Sequence, residues 1–342
     1  MALEISYLST QKINRLLSEN YKLSVDIIDK LQIGTANCFK IIADNRPYFL
    51  KEFQSTFTAE DVAREVALVN FLKKKQFPVA AIIKNTADEY FFKHEGRCVY
   101  LQEFVAGNCY KNNTFPDNFL IQAAELLGTL HTLLKDYELK REMDTDWCKS
   151  FDPRKSIDSL EQLLERTDNC CPENRERINN DLIYRISLQP KIQRYGDYFS
   201  SITYKSTHGD YHSLQLICGD KKINAVVDFS SACCLPVSWE IMRSYVQSAT
   251  ECVNADHIDI NKLSAYVKKY MQHSKLTYND LKYMPFIYYY QLGRSMYGYK
   301  EYLTTQSENN KSLINFAFWR TNMCRYLEKI VDVLSNELIH LL

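Results

Sequence analysis

The hydrophobic period of this chain changes once, close to Gly107, and no single motif limits its fold as much. Before that point short runs such as CFKII (38–42) and YFLKEF (48–53) alternate around turn residues Asn45, Arg46 and Pro47, the pattern of half-buried strands. Further strand candidates fall near 79–83 and 98–105, with turns around Asp88 and Glu95-Gly96. One helix interrupts them. Thr58 is placed to cap it, Glu60 and Asp61 suit its positive end, and Val62, Val66, Val69 and Leu72 recur at helical spacing. After Gly107, FLIQAAELLGTLHTLL (119–134) is apolar enough for a buried helix, and helical segments return at 157–166 and 173–189. Strands recur only at 214–218 and 223–228 before a mostly helical remainder. A chain of 342 residues exceeds one ordinary core. The expectation is an α+β protein: a sheet-rich domain over 1–105 and a larger helical domain over 106–342.

Composition narrows the partners. Forty-two basic and 42 acidic side chains cancel, so no electrostatic footprint points to nucleic acid or to an anionic membrane surface. No run reaches the roughly 18 apolar residues of a membrane span, and the first residues do not read as a signal peptide. The 11 cysteines are scattered without a C-x-x-C pair, which fits reduced thiols in the cytoplasm. A monomer or weak homodimer is expected.

Three features carry chemistry. Lys51 lies in a strand where Phe49 and Phe53 share its face, so it needs an anion or a route to water. Glu65, on the apolar side of the 60–72 helix, is a candidate partner, and such a pair can hold an ammonium against phosphates. A snorkelling lysine and an unrelated glutamate are the plain alternative. The lone Gly34 in IGTANCF is either a simple turn or the cover of a nucleotide; neither a P-loop nor a Rossmann fingerprint occurs. The third feature is THGDYHSLQLICGDKKINAVVDFS (207–230), where Asp210 follows Gly209 and Asp228 follows a strand. A hairpin between them could bring both carboxylates to one end, one to take a hydroxyl proton and one to hold Mg2+. His208, Asp210 and His212 could instead alternate as metal ligands, though zinc would want another ligand. A tyrosine-rich stretch, 275–299, offers either packing or an amphipathic wall for an acceptor.

HGDYHSLQ followed by VVDFS resembles the catalytic loop and metal-binding aspartate of the aminoglycoside phosphotransferase and choline kinase superfamily. YFLKEF, AREVALVNFLKKKQFPV, VYLQEFVAG and LLGTLH match that family's remaining segments in order. The resemblance implies a protein-kinase-like, two-lobed fold: a small antiparallel β-rich N-lobe that binds nucleotide and a helical C-lobe that holds the acceptor. It further implies transfer of the γ-phosphate of ATP or GTP to a hydroxyl of a small molecule such as an aminoglycoside, amino alcohol or sugar. Asp210 would orient that hydroxyl, Asp228 would be the main magnesium ligand, and Lys51, held by Glu65, would contact phosphates. Gly34 would cover the nucleotide, and backbone groups at Gln102, Glu103 and Phe104 would meet its base. Gln215 stands where the family places a second metal-ligating asparagine; its amide oxygen is the same donor one methylene further out. CCLPVSWEIMRSY replaces the usual Gly-Asp-Pro turn, with Glu240 and Arg243 expected to anchor helix to loop. That segment is more similar to a spore-coat-associated branch, so a catalytically silent scaffold, with a spore coat as its location, is the alternative function.

Overall fold

A computed structural model describes residues 4–31, 36–137, 139, 151–305 and 310–342. The chain divides into two compact units, Met1–Cys109 with Gln215–Ser231, and Tyr110–Leu214 with Ala232–Leu342.

The first unit is built on an antiparallel sheet of strands β1 (Val25–Leu31), β2 (Asn37–Ala43), β3 (Arg46–Glu52), β4 (Ile82–Ile83), β5 (Phe92–His94) and β6 (Arg97–Glu103). Its order is β1-β2-β3-β6-β4, with β5 also paired to β6. The β2–β3 turn is tighter than expected. Asp44 and Asn45 both take positive φ, at 49° and 60°, as a two-residue turn matched to strand twist requires. Arg46 and Pro47 therefore belong to β3 and not to the turn. Pro47 pairs only with Ile42, because β6 begins to pair at Tyr48, and a proline is tolerated where one edge needs no donor.

Two helices accompany this sheet, not one. Helix α1 (Thr10–Tyr21) is capped by Ser9 and buries Ile13, Leu16 and Leu17 with Phe39, Ile41, Leu50, Val99 and Leu101. The Ser9 cap and the 13/16/17 spacing were its available signal. Helix α2 (Ala59–Lys74) has a full capping box, Thr58 with Asp61, and buries Val62, Glu65, Val66, Val69 and Leu72. The hairpin Leu216–Cys218 with Ile223–Val226 joins this unit through Val79↔Val226 and Asn108↔Cys218 bridges. Gly107 makes the second bridge feasible: a Cβ there would meet the Cys218 carbonyl oxygen at 2.6 Å.

The second unit is helical apart from one ribbon, Tyr204–Thr207 with Cys233–Pro236. Its helices are α3 (Asp117–Leu133), α4 (Pro153–Glu165), α5 (Pro172–Gln193), α6 (Val237–Val246), α7 (Thr250–Ala255), α8 (Ile260–Met271), α9 (Tyr278–Arg294), α10 (Tyr299–Thr304) and α11 (Asn310–Ile339). Buried Arg185 of α5 donates to the carbonyls of Leu292, Gly293 and Ser295 and to Thr321 Oγ1, satisfying the C-terminal end of α9. Most of the tyrosines of 275–299 are packed inside this unit. Among the described residues no helix is long and apolar enough to cross a membrane.

Candidate active site

Within the first unit the fold gathers Lys51, Glu65 and Asp228. Strand β3 places Lys51 opposite Cys38 and Tyr100. Its ammonium lies 2.9 Å from Asp228 Oδ1 and 3.4 Å from Glu65 Oε1, and Tyr100 Oη donates to the same Glu65 oxygen at 3.3 Å. Phe53 presents its ring 4.5 Å from the ammonium. Burial opposes the charge, but Asp228 and Glu65 outweigh it and hold Lys51 protonated well above the usual lysine range. Glu65 Oε2 is buried without a partner. The lysine is therefore no snorkelling side chain; it is 6% exposed and clamped by two carboxylates.

Asp228 sits at φ 62°, a left-handed conformation uncommon for a residue with a Cβ. Its Oδ1 also accepts from Ser230 Oγ at 2.8 Å. Such strain, of order 1 kcal/mol, persists only where the surroundings overdetermine it, here at the turn from a strand into the Phe229–Ser231 helical turn. Val227 N–H donates to the Gln215 carbonyl at 2.9 Å, so Asp228 follows directly the residue paired with Gln215. Carboxylate and amide oxygens are hard donors, and both residues are only partly buried. This donor set fits a magnesium ion, which Asp228 and Gln215 would hold.

The remaining nucleotide candidates are placed unequally. Gly34 lies outside the described residues. Gln102 is buried and donates from its side chain to the Ala80 carbonyl. The Glu103 N–H is engaged by the Ala81 carbonyl at 2.8 Å. Phe104 follows the end of β6 with the Lys40 ammonium 5.0 Å from its ring.

Asp210 belongs to the second unit. Residues 208–212 form a loop and not a strand, with Gly209 at φ 79°. Glu240, fully buried on α6, shapes that loop: its carboxylate accepts from Gly209 N at 2.6 Å and His208 N at 3.2 Å. His131 of α3 completes the support, with Nε2 2.7 Å from Glu240 and Nδ1 2.8 Å from Tyr270 Oη. Arg243, one turn along α6 from Glu240, contacts Asp210 directly, and His212 Nε2 stands 3.6 Å away. Burial alone would raise the Asp210 carboxyl; Arg243, with help from His212 and His208, holds it well below the usual carboxylate range. Among the described residues no group of three His, Cys, Asp or Glu could hold a metal, so the alternating His208, Asp210 and His212 do not form a metal site. The support from His131 was not foreseen, because a lone histidine on an apolar helix gives no sign of what it faces.

A small antiparallel sheet with a buried Lys–Glu–Asp cluster, and a helical unit carrying a loop carboxylate, define a protein-kinase-like phosphotransferase fold. A model of the phosphotransferase enzyme family matches residues 30–256, more than half of the chain, and the protein belongs to that family. Solved structures agree on the fold. A spectinomycin phosphotransferase in complex with ADP and spectinomycin superposes with a TM-score of 0.66 at 13% identity, covering 96% of this chain and 100% of that one. A microcompartment-associated aminopropanol kinase gives 0.64 at 12% identity over 97% and 100%. An amicoumacin kinase in complex with AMP-PNP and Ca2+ gives 0.62 at 13% over 92% and 93%. No curated protein matches the sequence.

Proposed function

We propose that the protein transfers the γ-phosphate of ATP or GTP to a hydroxyl of a small molecule, of the aminoglycoside, amino alcohol or sugar kind. The observation that carries this reading is the buried Lys51 clamped by Glu65 and Asp228, because a structural lysine would not need two carboxylates and a strained aspartate. Bound magnesium would supply charge neutralisation between phosphate oxygens. Lys51 would bind the α- and β-phosphates, its position fixed by Glu65.

In the transfer itself the acceptor oxygen forms the new bond to the γ-phosphorus as the bond to the β–γ bridging oxygen breaks. The nucleoside diphosphate departs, and the hydroxyl proton passes toward an Asp210 oxygen. A carboxylate held at low pKa by Arg243 is a weak base but a good acceptor of a hydrogen bond. That suits a loose transition state, in which positioning matters more than early proton removal. The family likeness and the nucleotide complexes of the fold relatives support the nucleotide as donor.

The second reading, a silent kinase-like scaffold, is favoured by one residue, Gln215. Transfer from labelled ATP into an acceptor panel, run beside AMP-PNP titration with Mg2+, separates the two. Asp210→Asn should keep nucleotide affinity and lower transfer by about a hundredfold or more. Equal AMP-PNP affinity in wild type and Lys51→Met would remove the proposed nucleotide site.

A further inference from the structure

Helix α2 carries two stripes of side chains, and the core uses one of them. Val62, Glu65, Val66, Val69 and Leu72 are buried. Ala67, Asn70, Phe71 and Lys74 recur at i, i+3, i+4 and i+7 and share a second face, half-buried or open to solvent. That face forms one wall of a groove of about 570 Å³, lined by Ala67, Asn70, Phe71, Lys73 and Lys74 of the helix and by Tyr90, two residues before β5. The groove lies wholly within the first unit.

Its chemistry is apolar and cationic. Ala67 and the half-buried rings of Phe71 and Tyr90 supply the apolar part. Among the described residues the Asn70 amide and the Tyr90 hydroxyl make no hydrogen bond, and Lys74 forms no ion pair. The lining includes two ammonium groups and no acid. A further ammonium stands over each ring: Lys75 Nζ is 5.7 Å from the centre of Phe71, and Lys84 Nζ is 5.2 Å from that of Tyr90. Nearby acids offset little of this charge. Glu103 lies 3.4 Å from Lys73 and Asp88 2.7 Å from Lys84, but their side chains are 56% and 82% exposed, so both are solvated surface pairs.

Shape and charge together select an occupant. The stripe from Ala67 to Lys74 runs for about 10 Å, the reach of three extended residues. A segment laid along it can set apolar side chains against the two rings and carboxylates against Lys73 and Lys74, while a cationic segment is repelled. We propose that this groove docks a partner protein through a short acidic segment bearing aromatic or aliphatic anchors. None of the lining residues belongs to the Lys51–Glu65–Asp228 cluster or to the Asp210 loop, so docking does not depend on phosphate transfer.

Three end-blocked peptides test it when titrated calorimetrically into the full chain: EDFEDLE, EDGEDGE without anchors, and RKFRKLR with reversed charge. Wild type should bind EDFEDLE about tenfold or more tightly than either of the others, as charge-assisted contacts and buried anchors require. Lys74→Glu, at an exposed position, should weaken EDFEDLE about tenfold. Phe71→Ala should erase the difference between EDFEDLE and EDGEDGE. Circular dichroism melting checks that both variants fold; if Phe71→Ala does not, Lys74→Glu and the wild-type peptide comparison decide. No saturation by EDFEDLE up to about 1 mM overturns the proposal. So does equal or tighter binding of EDGEDGE or RKFRKLR, or an affinity for EDFEDLE unchanged in Lys74→Glu. Without the peptide preference, a wild-type dimer in sedimentation that Lys74→Glu dissociates would assign the groove to a second copy of the chain. Binding to phosphatidylserine vesicles that Lys74→Glu abolishes would assign it to a membrane surface, and either result replaces the partner segment.

Discussion

Lys51 and Asp210 are both ionised residues whose charge is set by a neighbour, and the consequences differ. Removing the ammonium in Lys51→Met strands Glu65 in the interior. Stability should fall by about 3–5 kcal/mol, the usual cost of breaking a buried pair, and the double variant with Glu65→Gln should recover most of it. Chemical denaturation of the three proteins at pH 7 checks this. Because the folded lysine has a raised pKa, its contribution is complete below the unfolded value of about 10.4 and fades only as pH rises through the still higher folded value. Asp210 behaves oppositely. Its depressed folded pKa keeps it ionised below about pH 4, so it should impose no acid limb on turnover above that pH. In Arg243→Met burial prevails, the carboxyl pKa rises, and an acid limb should enter the measurable range. A pH–rate profile unchanged between the two proteins would remove Arg243 from this role.

Helix α2 and the Leu216–Val226 hairpin each position one part of the Lys51–Glu65–Asp228 cluster, and each depends on a local device. The Thr58–Asp61 capping box orders the first turn of the helix that carries Glu65. Thr58→Ala should cost about 1 kcal/mol without abolishing nucleotide binding, as an equilibrium denaturation curve would show. Gly107→Ala should cost more, because the new methyl meets the Cys218 carbonyl at 2.6 Å and the residue holds φ at 152°. Gln215→Asn tests the proposed metal position. If the extra methylene displaces the amide oxygen, the asparagine variant should bind Mg2+–AMP-PNP at least as tightly as wild type; weaker binding would mean that glutamine is fitted to this site.

The first unit is assembled from two stretches far apart in the chain, Met1–Cys109 and Gln215–Ser231. Scanning calorimetry of the full chain should show AMP-PNP with Mg2+ raising the melting temperature of wild type and leaving that of Lys51→Met unchanged. A ligand present at a hundred times its Kd adds about 2.7 kcal/mol to the unit that binds it. An equal rise in the two proteins would remove Lys51 from the nucleotide site.

Much of the architecture was readable because its signals are local. Period and cap revealed α2, apolar density revealed α3, and the change near Gly107 separated sheet from helix. Lys51 announced itself as a lysine on an apolar face, and Glu65 as its nearest candidate. Local signals failed where a neighbour in space decided the outcome. Pro47 became a strand residue because β6 starts one position later, and residues 215–231 joined a unit otherwise made of the first 109 residues through bridges at Val79 and Asn108. Glu240 and Arg243 were expected to tie their helix to a loop and both meet the Asp210 loop, but His131, a lone histidine on an apolar helix, gave no sign that it would support Glu240. Spacing along the chain encodes which face a side chain occupies, but hydrogen bonds, desolvation and charge depend on atoms a hundred residues away.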